Sequence, residues 1–274
     1  MTEHGAKPCR MQYAGAVGAR IAYDDRGSSA HDTAFLLLPG WAVNRGFFAP
    51  LAERLAARHR VLSLDWRGHG DSAEALADFG NAELVNDALA VLDVAGVRAV
   101  IPVGQAHGSW VMLELRRRLG ERVPAMIAMS WLVLDPPPPF RSMLEALQDE
   151  TRWEQARDQL FAMWTTGAPT EVAERVHREM GAYGFAMWAR GARAIAEEYA
   201  RHGNPLQAAA ALTPPARLLH LFSQPKAPEF LEAQQTFERQ HPWFAVRRLD
   251  AVSHFPALEV PESTALEIER FAAL

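Results

Sequence analysis

One cysteine, Cys9, stands in 274 residues, so no internal disulfide can form, and no Cys/His cluster carries the spacing of a zinc site. Charge is sparse and balanced: 28 Lys and Arg against 33 Asp and Glu leave a net charge of −5. Without a basic block, neither nucleic acid nor an anionic membrane is the expected partner. No apolar run approaches the length of a membrane span. The opening Met1-Thr2-Glu3-His4-Gly5-Ala6-Lys7 lacks the charged-then-apolar pattern of a secretory leader, so a cytoplasmic location is expected. Internal repeats, low-complexity tracts and flexible linkers are also missing. What remains is work on small molecules that uses neither thiol nor structural metal.

The composition, 49% hydrophobic and 22% charged, is that of a soluble globular protein. Its length suits one large domain, alone or carrying an insert. Residues 16–24 and 34–38 read as strands, joined into an antiparallel hairpin by Asp25-Arg26-Gly27-Ser28-Ser29. Short apolar strands at 60–66, 99–102, 125–129, 217–223 and 244–249 then alternate with helical patterns at 47–58, 81–95, 110–119, 230–241 and 262–273. Such alternation predicts an α/β fold with a mostly parallel sheet covered by helices on both faces. Four consecutive prolines, 136–139, fit neither a helix interior nor a central strand and lead the chain out of the sheet. Residues 142–212 are helical in pattern and rich in rings: Trp153, Trp164, Tyr183, Phe185, Trp188 and Tyr199. The expected organisation is a core of 1–138 and 214–274, interrupted by a helical cap of 139–213. The rings either join the cap helices to one another or, with Trp164 and Trp188, face an apolar pocket.

The stretch Gly104-Gln105-Ala106-His107-Gly108 joins a strand to a helix. This is the context of the nucleophile elbow, G-x-S-x-G, with alanine where the serine belongs. A methyl group attacks nothing, so acyl-enzyme chemistry at Ala106 is excluded. Ser109, three residues on, is the alternative nucleophile. The backbone N–H of His107 and one near Trp41, after the turn Pro39-Gly40-Trp41, are candidate donors to an oxyanion. In a parallel sheet, reactive groups gather at the carboxyl ends of the strands. Trp41, Gln105, Ala106, His107, Ser130 and His254 fall there. His254, after the last strand, is the candidate general base. His69 is read as support for its loop, His220 and His241 as structural. The acid that would orient His254 is harder to place: Ser130 occupies a strand end, and Asp135 reaches back only if the chain folds over.

Taken together, Leu36-Leu37-Leu38-Pro39-Gly40-Trp41, Asp65-Trp66-Arg67-Gly68-His69-Gly70, His107-Gly108-Ser109-Trp110, Phe161-Ala162-Met163-Trp164, Phe222-Ser223-Gln224-Pro225, Gln240-His241-Pro242-Trp243-Phe244 and Ser253-His254-Phe255-Pro256 resemble one branch of the α/β-hydrolase superfamily. That branch is the cofactor-independent dioxygenases of 3-hydroxy-4-quinolones. The resemblance implies an α/β-hydrolase fold with a helical cap, a small aromatic substrate, O2 as co-substrate, no cofactor, and a monomer or homodimer. It also implies that His254 deprotonates the 3-hydroxyl of the heterocycle, after which O2 adds and carbon monoxide leaves. The family pattern has His-Ser-His where this chain has Gln105-Ala106-His107, an orienting aspartate where it has Ser130, and a pocket histidine near Val43 and Asn44. A lyase, isomerase or cyclase using the same base without O2, or a ligand-binding homologue without catalysis, are the alternative expectations.

Overall fold

The computed structural model describes residues 10–27, 33–75 and 77–272. Cys9, the opening segment 1–7, and Ser28 and Ser29 of the expected turn lie outside them. The described strands form one sheet in the order β1-β2-β4-β3-β5-β6-β7-β8. They are β1 (Arg10–Ala16), β2 (Ala19–Arg26), β3 (Thr33–Leu38), β4 (Arg60–Leu64), β5 (Ala99–Gln105), β6 (Ala125–Met129), β7 (Arg217–Phe222) and β8 (Phe244–Arg248). From β4 to β8 all neighbours run parallel, while β1 and β2 are antiparallel to their neighbours.

The opening hairpin differs from the sequence reading. It pairs β1 with β2, Ala16 facing Ala19 across a tight turn at Val17 and Gly18. Gly18 sits at φ +74, a left-handed conformation that glycine adopts at no steric cost. The expected strand from residue 16 therefore began one turn too early. Residues 33–38 do not pair with it, because β4 lies between β2 and β3. The alternation of Met11 and Tyr13 with Gln12 and Ala14 was the available signal for β1.

Side chains alternate across each central strand, and both sets are buried. Phe35 and Leu37 of β3 face α1 (Ala49–Ala56) and α11 (Pro261–Ala272), in one layer with Leu51, Leu55 and Ile268. Leu36 and Leu38 face the layer that holds α2 (Asn81–Val94) and α3 (Gly108–Leu119). Burial on both faces is why these strands read as continuous apolar runs. Two acid-base pairs brace this layer below the strand ends: the buried Arg67 side chain donates to Asp87, and Arg45 donates to Asp65.

Between β6 and β7 the chain runs through α4 (Pro138–Leu147), α5 (Trp153–Thr165), α6 (Thr170–Met180), α7 (Phe185–His202) and α8 (Pro205–Ala210). We refer to these five helices as the cap. Proline in the first turn starts α4, where its missing N–H costs nothing. Asn204 caps α8, its Oδ1 accepting the Gln207 N–H at 2.9 Å. The return strands then carry α9 (Pro228–Gln240) and, after β8, the short α10 (Pro256–Glu259).

Candidate active site

The elbow between β5 and α3 has the geometry its glycines predict. A Cβ at Gly108 would lie 2.5 Å from the Leu38 carbonyl oxygen, and one at Gly104 would lie 2.6 Å from Ser109 Cα. Only hydrogen fits in either place, and helix and strand close on each other for that reason. Ala106 at the tip has φ 47, a conformation that costs an L-residue about 1–2 kcal/mol. Besides Ala106, only Ala42 (φ 55) and Ser130 (φ 48) among the described non-glycine residues have positive φ. All three sit just beyond the carboxyl ends of β3, β5 and β6, so backbone strain is concentrated at one place in the fold. Ser109 is excluded as a nucleophile: it is fully buried, and its hydroxyl donates to the Gly104 carbonyl at 2.8 Å. Residing inside the first turn of α3, it serves the elbow's backbone.

On the β3 side, His69 pins the turn. Its Nε2 accepts the Ala42 N–H at 3.2 Å while Nδ1 faces the Arg67 carbonyl at 3.0 Å, which fixes the Nδ1–H tautomer. Burial pulls its pKa from 6.5 down to about 4, so the ring stays neutral and accepts. His69 thus supports its loop, as its sequence context indicated. Trp41 is gripped on several sides: its Nε1 donates to Met187 O at 2.7 Å, and its indole stacks on Phe79 at 5.7 Å. The backbone N–H groups of Trp41 and His107 donate to no described acceptor, leaving both free at the mouth of the elbow.

The His107 ring meets Trp41 edge-on at 5.1 Å. It is 3% exposed, yet neither ring nitrogen has a hydrogen-bond partner. Burial, reinforced by neighbouring His69, pulls its pKa from 6.5 to about 3. Ser130 Oγ, Trp110 Nε1 and Trp188 Nε1 are likewise buried and unpaired. An unmet buried polar group costs about 1–3 kcal/mol, so four such residues around one cavity mark where a polar ligand would satisfy them.

His254 lies in the loop after β8. Its ring stacks on Trp164 at 5.0 Å with 15° between planes and meets Phe255 edge-on at 5.4 Å. Its backbone N–H donates to Trp164 O at 2.9 Å. The imidazole itself bonds to no described side chain, and burial alone pulls its pKa from 6.5 to about 4. Asp135 does not orient it. That carboxylate is exposed and accepts from Asn204 Nδ2 at 3.1 Å, fastened to the cap by the residue that starts α8. His220 is structural, as read: its Nδ1 bonds Gln234 Oε1 at 2.6 Å and its Nε2 accepts the Trp131 N–H at 3.3 Å, holding the chain just after Ser130.

A cavity opens between the strand ends and the cap, and Trp41, Gln105, Ala106, His107, Ser130, Trp164, Trp188 and His254 all line it. None of the residues on its wall carries a formal charge among Asp, Glu, Lys and Arg. The aromatic load of the cap divides between the two roles considered. Trp164, Trp188 and Tyr199 face the cavity, whereas Trp153 packs on Phe185 and the Tyr183 hydroxyl accepts the Gly70 N–H. Sequence reasoning missed most of the apolar wall, although its signal was present. Trp188, Gly191, Ala192, Ile195 and Tyr199 lie on one face of α7, and Phe140, Met143, Leu144 and Leu147 on one face of α4. Gly191 is required, because a Cβ there would overlap the Trp41 indole. Among the described residues no group of three or more His, Cys, Asp or Glu is placed to hold a metal ion.

Residues 35–267 match the model of the alpha/beta hydrolase family. The 2-heptyl-3-hydroxy-4(1H)-quinolone dioxygenase of Mycobacteroides abscessus is 36% identical over 91% of this chain and 93% of its own length. The 1H-3-hydroxy-4-oxoquinoline 2,4-dioxygenase of Pseudomonas putida is 33% identical over 95% of this chain and 99% of its own. Among solved structures, an AqdC variant in complex with its substrate, from work on ring cleavage of the Pseudomonas quinolone signal, superposes with a TM-score of 0.91. It is 34% identical and covers 96% of this chain and 99% of its own. An elbow that keeps its glycines without a nucleophile, a histidine after the last strand and these relatives agree: the chain belongs to the α/β-hydrolase family and, within it, to the branch of the 3-hydroxy-4-quinolone dioxygenases.

Proposed function

We propose that this protein is a cofactor-independent dioxygenase that opens the ring of a 2-alkyl-3-hydroxy-4-quinolone or a close N-heteroaromatic analogue. The observation that carries the reading is the pairing, in one uncharged cavity, of an unpartnered His254 ring with an elbow whose Ala106 offers backbone donors and no nucleophile. His254, neutral at ordinary pH, takes the proton of the substrate's 3-hydroxyl. Burial without a carboxylate penalises a lone imidazolium. The proton therefore transfers only while the substrate anion remains beside the ring to compensate it. The Trp41 and His107 N–H groups hold the substrate's 4-oxygen, where negative charge accumulates. Exclusion of water keeps that anion electron-rich, and the apolar wall admits O2. O2 adds at C2, the resulting peroxide closes on C4, and rupture of this ring releases C3 as carbon monoxide, leaving an N-acylanthranilate. The atoms balance as substrate plus O2 giving product plus CO, and His254 returns its proton to the product.

No described helix is long and apolar enough to cross a membrane. The reading goes with a cytoplasmic enzyme acting as monomer or homodimer, which cell fractionation and light scattering of the purified protein would test. The decisive experiment is a panel of 2-alkyl-3-hydroxy-4-quinolones in an oxygen electrode with carbon monoxide collected in the headspace. Equimolar O2 uptake and CO release is the expected result. Turnover that continues unchanged under nitrogen, or binding without any product, would refute it.

A further inference from the structure

The loop that presents His254 has no regular secondary structure, yet both backbone polar groups of Val252, Ser253 and His254 are engaged. Glu259, at the end of α10, accepts the Val252 N–H at 2.8 Å and the Ser253 N–H at 2.7 Å through its two carboxylate oxygens. Ser223 donates its hydroxyl to the Ser253 carbonyl. Gln224 Nε2 donates to the Val252 carbonyl at 2.6 Å and to the Met163 carbonyl at 3.3 Å. Gln105 Nε2 approaches the His254 carbonyl at 3.5 Å, and the His254 N–H meets Trp164 O at 2.9 Å. Grips from β5, the turn after β7, α5 and α10 thus converge on three residues.

The imidazole that this loop carries makes no hydrogen bond among the described residues, so none of them acts directly on its nitrogens to orient them. Its placement is set by the backbone beneath it and by the Trp164 indole against its face. Among the described side chains, Gln224 is the one that hydrogen-bonds both the base loop and α5. Its carboxamide bonds Val252, two residues before His254, and Met163, the residue before Trp164. Since both partners are carbonyl oxygens, the amide nitrogen must face them, and only a donor works at this position.

We infer that Gln224 and Glu259 are positioning residues for His254, and that Gln224 locks the base loop to cap helix α5 so that the imidazole and the Trp164 indole hold one register. Glu259 secures the loop from the core side, and Gln224 secures it from the cap side. This rests on the proposed role of His254 as base. A misplacement of about 1 Å in a reacting group costs about a hundredfold in rate, which sets the scale of the effect.

The test uses the full chain with Gln224→Met, which keeps the shape and removes the donor, Gln224→Glu, which replaces the donor with an acceptor, and Glu259→Gln. For each, kcat in air is compared with the affinity for the same 2-alkyl-3-hydroxy-4-quinolone measured anaerobically by tryptophan fluorescence. Amide hydrogen exchange is recorded in parallel without substrate. The expected result is a kcat lower by about ten- to a hundredfold with affinity within about twofold. Exchange should rise in residues 252–255 and, for the Gln224 variants, also in 162–166, with Gln224→Glu affected most. Exchange that rises in only one of the two segments in both Gln224 variants overturns the lock, and kcat within twofold of wild type overturns the positioning role. A variant that fails to fold is replaced by the other two, which probe the same loop from opposite sides. If the wild type turns over no quinolone, the proposed function falls, while the exchange experiment still decides the lock.

Discussion

Acid should unfold this protein through its buried histidines. His69, His107, His220 and His254 are pulled by burial from 6.5 to about 4, 3, 4 and 4 respectively. In each case the folded value lies below the unfolded one, so the unfolded chain binds more protons between pH 6.5 and the folded value. Stability is then fully present above pH 6.5 and is lost as pH falls toward 4. At pH 5 an unfolded histidine is almost wholly protonated and its folded counterpart is not, which withdraws about 2 kcal/mol per group. Four groups together withdraw about 8 kcal/mol, comparable to the whole stability of an ordinary domain, about 5–15 kcal/mol. Urea unfolding followed by tryptophan fluorescence should therefore show a steep fall in midpoint between pH 7 and 5, with spontaneous unfolding near pH 5. His107→Met isolates one contribution, because that ring has no hydrogen bond to lose. At pH 7.5 its stability should stay within about 1.5 kcal/mol of wild type, and at pH 5 it should gain about 2 kcal/mol relative to wild type. A midpoint equal at pH 7.5 and 5, or a His107→Met protein as acid-labile as wild type, would refute the reasoning.

Three further outcomes follow from the site. His254→Ala should lower the rate of quinolone turnover by about 10²–10⁴-fold while ligand still quenches fluorescence, and stopped-flow oxygen uptake would check it. Gly191→Ala forces a methyl into the Trp41 indole and should destabilise by about 1–3 kcal/mol, with weaker substrate binding in anaerobic titration. Asp135→Ala, by contrast, should leave kcat within about twofold, since the one described hydrogen bond of that exposed carboxylate goes to Asn204; a large loss would restore it as a partner of His254.

The legible part of this molecule was whatever a local pattern enforces. Gly104 and Gly108 announce a close strand-to-helix turn because no Cβ fits there, and the parallel strands announce themselves because burial on both faces leaves few polar positions, such as Ser63 and His220. His254 could be singled out by its place after the last strand. Illegible from sequence were relations that depend on which elements meet. The place of β4 between β2 and β3 is set by long-range pairing, which the run at 34–38 does not encode. Asp135 was a candidate by chain proximity, yet the capping demand of α8 through Asn204 claims it. The faces of α4 and α7 had the helical spacing of a cavity wall, but that spacing is the same for residues buried against a neighbour. Gln224 stood within the quoted Phe222-Ser223-Gln224-Pro225 motif without any sign of its task, and Glu259 gave no local sign, since both bond backbone groups brought to them by folding.

The cap is tied down around its rim by many small contacts: Asn44 to Glu179, Tyr183 to Gly70, Tyr199 to the Leu132 carbonyl, and Arg190 and Arg193 to Asp78. Each exposed tie is worth little, about 0–1 kcal/mol for an ion pair at the surface, but a bulky product leaves only when several part together. Opening of this rim is a step apart from the chemistry beneath it, and raising ionic strength, which screens the Asp78 pairs, should quicken release of the large product without altering its formation.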